Sequence, residues 1–190
     1  MLHLTNVYGK LNVIKTNMPG KNVQLSDTYS QDYPFKNIKT TMLDKNKNPR
    51  LQIQYSNEHT SFHGQPKIIM AHKMYGFPYL DREGIFGIST RDNYIIVNKT
   101  VAEMELLVEF LSTELILFLY ETTRYRMRYL EKYVFEYIPD FTKIPAAIQM
   151  YNHYQSHKTN TVDIYDLFGI DKTERQFIER YYKIKYGRFA

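Results

Sequence analysis

The 190-residue chain contains no cysteine, so neither a disulfide framework nor a thiolate zinc site can form, and a reducing compartment is the simpler setting. Its eight glycines are never separated by a single residue, which removes the Gly-x-Gly turn that lets a Rossmann backbone approach a phosphate. No glycine stands five positions before Gly9-Lys10 or Gly20-Lys21, so the Walker loop is missing as well. No aspartate or glutamate precedes a lysine by two positions, a spacing with which many metal-dependent nucleases bring carboxylate and ammonium to the metal and its activated water. No cofactor is therefore expected in this chain.

Long uncharged apolar runs are absent too. The most apolar stretch, Met104 to Tyr120, contains Glu105, Glu109 and Glu114, and carboxylates at a bilayer centre would cost roughly 2.5–3.5 kcal/mol each. A buried helix is expected there, with no membrane span. The opening Met1-Leu2-His3-Leu4-Thr5-Asn6 has neither the charged start nor the apolar run of a secretory signal. A cytoplasmic protein is the expectation.

What the chain does have is bulk for a core: 43% apolar residues, with 18 tyrosines and 11 phenylalanines, far more than a disordered segment tolerates. Its net charge of +5 is uneven. Residues 1–50 carry eight cations and three anions, residues 51–120 five and eight, and residues 121–190 twelve and nine. Basic ends are compatible with a polyanionic partner, although charge alone does not require one.

The pattern predicts an α+β fold: a small, irregular mixed sheet, then a long helix, then a helical tail. Leu11 to Ile14, Leu51 to Tyr55, Ile68 to Met70 and Tyr94 to Val97 read as strands. Thr100-Val101-Ala102-Glu103 has capping-box spacing, and apolar residues recur at three and four positions from Met104 to Leu119. Pro139 stops any helix. Further helices are expected over 146–157, over 162–168 ending at Gly169, and from Asp171 onward. Residues 1–146 are expected to form the α+β domain, with residues 147–190 a helical tail packed on the same core.

Two segments suggest binding. Residues 71–82 mix cations, aromatics and turn residues between two strands, where loops either present binding groups or merely connect. Arg124, Arg126 and Arg128 alternate with Tyr125 and Met127. They form either a packed tyrosine stripe with solvated arginines or an edge whose guanidinium forks hold phosphates. His59/His63 and His153/His157 lie four apart but lack the His-Glu-x-x-His arrangement, and surface histidines are the simpler reading.

The order of segments adds a resemblance. Lys67-Ile68-Ile69-Met70-Ala71, Gly76-Phe77-Pro78-Tyr79, Gly84-Ile85-Phe86-Gly87-Ile88-Ser89-Thr90, Tyr94-Ile95-Ile96-Val97 and the helix with Leu107, Leu111-Ser112 and Phe118 follow one another. Tyr137-Ile138-Pro139-Asp140 and a tail from Ile164 to Glu179 complete the series. This series resembles the C-terminal target-recognition region of adenine-specific DNA methyltransferases of restriction-modification systems. The resemblance implies a module that reads double-stranded DNA while a separate domain binds S-adenosylmethionine and transfers the methyl group. That catalytic domain should carry Asn/Asp-Pro-Pro-aromatic, which holds the base that must leave the duplex to react. None of the seven prolines here adjoins another. The chain is thus expected to be non-catalytic alone, with S-adenosylmethionine belonging to a methyltransferase partner.

On this reading the DNA-contacting residues are Lys67, His72, Lys73, Tyr75, Arg82, Arg91, Arg124, Arg126 and Arg128. The alternative is a subunit that docks on a catalytic partner through its tyrosine-rich helical half and touches no nucleic acid.

Overall fold

In the computed structural model, which describes residues 2–44, 49–72, 77–124, 129–157 and 164–186, the chain is α+β, and its strands and helices segregate into two units. The β unit spans Val13–Glu105 and Arg126–Leu130, and the helical unit takes Met1–Asn12, Leu106–Tyr125 and Glu131–Ala190. Residues before 147 thus contribute to both units, and the division falls elsewhere than the boundary expected from sequence.

Where one sheet was expected, the β unit holds two of four strands each. The first is antiparallel throughout, in the order β1 (Ile14–Lys15), β8 (Asn93–Ile96), β5 (Lys67–Ala71), β6 (Tyr79–Asp81). The second runs β2 (Leu25–Ser26), β4 (Pro49–Ser56), β3 (Phe35–Leu43), β7 (Gly87–Ile88), and only its β3–β7 pair is parallel. A bulge interrupts the β3–β4 register between Ile38 and Thr40. Ile38 and Ile88 of one sheet meet Ile69 and Ile95 of the other in a fully buried cluster, ringed by Leu51, Phe62, Tyr79, Phe86 and Val97. Every residue of β5 and β8 is buried, which is why residues 68–71 and 94–96 read as unbroken apolar runs rather than alternating ones. Of the strand expected over 11–14 only Ile14 pairs in a sheet; the Leu11 amide donates instead to Ile138 O at 2.8 Å, within the helical unit.

Beside the sheets sits a buried polar knot. Thr60 Oγ1 donates to Asn37 Oδ1 at 2.5 Å and accepts the Ile88 amide at 2.7 Å, while Asn37 Nδ2 donates to Ser56 Oγ at 2.8 Å. Gly87 passes so close that a Cβ there would overlap both Thr60 Oγ1 and Asn37 Oδ1. The knot welds β3, β7 and the 56–60 turn at the start of the parallel pair.

The capping box at Thr100 is present: the Thr100 amide donates to Glu103 Oε2 at 2.7 Å and the Glu103 amide to Thr100 Oγ1 at 3.2 Å. The helix it opens is shorter than the apolar period suggests, ending as α2 (Val101–Leu111) before α3 (Glu114–Thr122) begins. Ser112 Oγ donates to Val108 O and Thr113 Oγ1 to Phe110 O, each at 2.7 Å, so hydroxyls take the carbonyls of the last turn and the chain re-enters helix after an extended Thr113.

A seven-residue helix, α1 (Leu2–Tyr8), carries no cap signal and was not expected. Short 3-10 turns over Lys132–Glu136 and Phe141–Lys143 flank Pro139. Then come α4 (Pro145–His157), a 3-10 turn over Asp166–Phe168 in place of the described part of the expected 162–168 helix, and α5 (Lys172–Tyr186). Gly169 adopts φ 63°, ψ 32°, the left-handed conformation that suits glycine after a helical turn. Asp171 Oδ1 accepts the Thr173 and Glu174 amides, and Glu174 Oε2 accepts the Asp171 amide in return. No helix among the described residues is long and apolar enough to cross a membrane.

Candidate nucleic-acid interface

The turn Thr90–Asn93, which leads into β8, ties together three distant stretches of the β unit, those that carry Lys15, Lys39 and His72. Thr16, almost fully buried, is its central tie: Oγ1 lies 2.8 Å from Thr90 O and 3.0 Å from Asn93 O and accepts the Asn93 amide at 3.1 Å. On the other side Lys39 O, at the β3 bulge, accepts Thr90 Oγ1 at 2.7 Å and Asn93 Nδ2 at 3.0 Å. The His72 amide donates to Asp92 O at 2.8 Å, and the Ala71 amide to Thr41 Oγ1 at 3.1 Å, so the end of β5 joins the same place.

Side chains follow those backbone ties. The His72 ring lies between Tyr94 (edge-on, 5.5 Å) and Tyr129 (tilted, 5.1 Å), with Nδ1 3.9 Å from Asp92 Oδ1. Lys15, opposite Tyr94 in the β1–β8 register, holds its ammonium 4.6 Å above that ring, a favourable cation–π placement. Leu130 fixes the neighbouring chain, donating its amide to His72 O at 2.9 Å and accepting the Tyr94 hydroxyl at 2.8 Å. Arg91 is exposed at the tip of the turn and makes no ion pair with another described residue. Lys15, Lys39, His72 and Arg91 thus share one locality with Asp92, but Lys15 Nζ and His72 Nδ1 are buried, which leaves Lys39 and Arg91 as its outward cations.

Of the residues expected from sequence, His72 and Arg91 meet here. Lys73 and Tyr75 follow His72 in the chain, and Arg126 and Arg128 precede Tyr129; all four lie outside the described residues. Lys67 requires correction. Its Nζ is fully buried, 2.6 Å from Asp81 Oδ2, because Lys67 and Asp81 are paired across β5 and β6 on the inner side of the sheet. Burial pushes the ammonium pKa down and Asp81 opposes that shift. A buried, paired lysine cannot reach a phosphate. Arg82 is exposed but ion-paired with Glu105. Arg124 belongs to the helical unit, largely buried, with Nη2 2.9 Å from Glu121 Oε1.

Sequence reasoning missed Lys15 and Lys39. Neither lies in a motif, and only the β1–β8 pairing and the β3 bulge carry them to the turn.

Charge follows the same division. The β unit carries fourteen Lys/Arg against nine Asp/Glu, and the helical unit eleven against eleven, so the whole excess of +5 lies in the β unit.

The His59 and His63 rings pack edge-on at 4.1 Å, with Phe35 3.9 Å from His59. Burial first, then His59 and Lys67, lowers the His63 pKa and so favours its neutral ring. No group of three or more His, Asp or Glu side chains among the described residues is placed to hold a metal ion. No protein-family model, no curated protein and no solved structure matches the chain.

Proposed function

We propose that the β unit binds double-stranded DNA through the surface around the Thr90–Asn93 turn, as a recognition module that leaves bond-making to a methyltransferase partner in a restriction-modification setting. The observation that carries the reading is that Arg91, exposed on the Thr90–Asn93 turn, and Lys39, whose carbonyl is bonded to that turn, lie together in the unit that holds all the excess positive charge. Cations on phosphates supply affinity and register, and side chains beside them read base edges. Tyr129 and His72 add flat aromatic surface to the same locality. The DNA-methyltransferase setting rests on the resemblance of the segment series.

The test is a salt titration of duplex binding by fluorescence anisotropy. Affinity should fall steeply as salt rises, and Arg91→Ala and Lys39→Ala should each reduce the slope of log K against log salt by roughly 0.9, one phosphate contact apiece. Absence of binding to random and candidate duplexes at about 50 mM salt removes the reading.

A further inference from the structure

The solvent face of α5 carries an apolar residue at its centre. Phe177 is 61% exposed, and Thr173, Glu174 and Arg180, three or four positions away on the same face, are exposed with it. Beside Phe177 an open groove of about 510 Å³ is lined by Leu115, Phe118 and Leu119 of α3 together with Ile170, Phe177 and Ile178, with Glu174 at its rim. The Phe118 ring forms its floor, edge-on to Phe177 at 5.9 Å and to Tyr181 at 5.4 Å.

The charges on this face have a symmetry that selects an occupant. Counting outward from Phe177, Glu174 stands three residues before it and Arg180 three residues after; Arg175 stands two before and Glu179 two after. Arg175 and Glu179 are already joined within the helix at 2.9 Å. Arg180 has no ion-pair partner among the described residues, and Glu174 spends one oxygen on the Asp171 amide. A two-fold axis through Phe177 relating two antiparallel copies of α5 sets each Glu174 against the other copy's Arg180. A parallel arrangement would set like against like. A two-fold interface uses one patch twice and must be complementary to itself, and this charge order meets that requirement.

From this geometry we infer that the occupant is a second copy of the same chain, packed α5 against α5 in antiparallel sense with Phe177 of each copy seated in the groove of the other. The inference is independent of the DNA reading. A patch of one helix face lies well below the ~800 Å² per partner of a standard interface, so a reversible dimer with a dissociation constant on the order of micromolar is expected.

Sedimentation velocity on the full chain from about 1 to 200 μM spans that range. The unaltered protein should move from monomer to dimer. Glu174→Arg and Arg180→Glu should each weaken association by about tenfold or more, since each sets like charges face to face, and the double variant should return to near the starting affinity. Glu174→Arg also removes the bond to the Asp171 amide, but the double variant lacks that bond too, so recovered association reports the cross-copy pair. Circular dichroism melts check that each variant folds. Because the chain has no cysteine, Gln176→Cys supplies a lone exposed thiol beside the axis with Phe177 left in place, and a short bis-maleimide should then link two copies. A monomer at every concentration, a dimer indifferent to all three charge variants, or a double variant no better than the singles would overturn the inference, as would a face occupied only by a different protein.

Discussion

Lys67 and Asp81 face each other across β5 and β6, ammonium to carboxylate at 2.6 Å, with 0% and 2% of their side chains exposed. Asp81 does more than neutralise the lysine: Oδ1 accepts the Ile85 amide and Oδ2 the Phe86 amide, each at 3.0 Å. The pair therefore fixes the path of the chain from β6 to β7. At its foot Gly84, with φ +69°, comes so close to the 64–65 backbone that a side chain would collide with it. A lysine that looks from sequence like a surface cation is here an internal strut.

Lys67→Met should accordingly lower stability by about 3–5 kcal/mol, because it leaves a buried carboxylate without its counter-charge. Urea unfolding gives that number directly. The folded fraction should keep the DNA affinity and salt slope of the parent, in contrast to Arg91→Ala. A drop in slope for Lys67→Met would mean that its ammonium reaches phosphate after all.

The polar knot at the start of β7 tolerates no added volume and no lost hydroxyl. Thr60→Val strips a group that both donates to Asn37 and accepts from Ile88, and should cost roughly 1–3 kcal/mol for each buried partner left unsatisfied. Gly87→Ala forces a methyl onto two buried oxygens and should destabilise by about 1–3 kcal/mol through overpacking. Equal melting temperatures for parent and both variants would contradict the knot.

Local signals were legible and long-range ones were not. Thr100 with Glu103, Asp171 with Glu174, and Gly169 each act over three or four residues, so their spacing in the sequence carries the geometry found in the structure. The buried strands β5 and β8 announce themselves as apolar runs. The break at Ser112-Thr113 is hidden, because Leu111 and Leu115 keep the apolar period across it while the hydroxyls that interrupt the backbone read as neutral. Two sheets in place of one follow from β3 pairing with β7 about fifty residues on, which no periodicity encodes. The candidate surface divides the same way: His72 and Arg91 were found as loop residues at strand ends, whereas Lys39 arrives through a bulge, and Lys67 was misread because its counter-charge stands fourteen residues away on the next strand.

Thr16 separates scaffold from contact in the proposed interface. Thr16→Val keeps the shape but removes the hydroxyl that ties Thr90 and Asn93 together, and should cost about 1–3 kcal/mol of stability. If the Thr90–Asn93 turn carries DNA, affinity should fall because Arg91 and Lys39 lose their common frame, yet the salt slope should stay close to the parent's, since no phosphate-binding charge has gone. Anisotropy titrations at several salt concentrations distinguish this from Arg91→Ala, which should change both.

In the helical unit, Glu114 makes the acid limb of the stability curve informative. Burial raises its pKa most, with Glu179 adding to the shift; the Tyr165 hydroxyl, 3.3 Å from Oε2, and Lys183 and Arg175 pull the other way. A carboxyl whose folded pKa exceeds its unfolded one binds its proton more tightly in the native state, so between the two values the folded chain holds more protons and stability falls as pH rises. Above the raised value the protein bears the full penalty of an ionised, partly desolvated carboxylate. Glu114→Gln removes that penalty while leaving an oxygen for Tyr165 to donate to. The variant should melt higher than the parent at neutral pH, and the two should converge as pH falls towards the ordinary glutamate value. Thermal melts across that range decide the matter: a parent that is the more stable of the two at neutral pH would mean that Arg175 and Lys183, rather than burial, dominate the site.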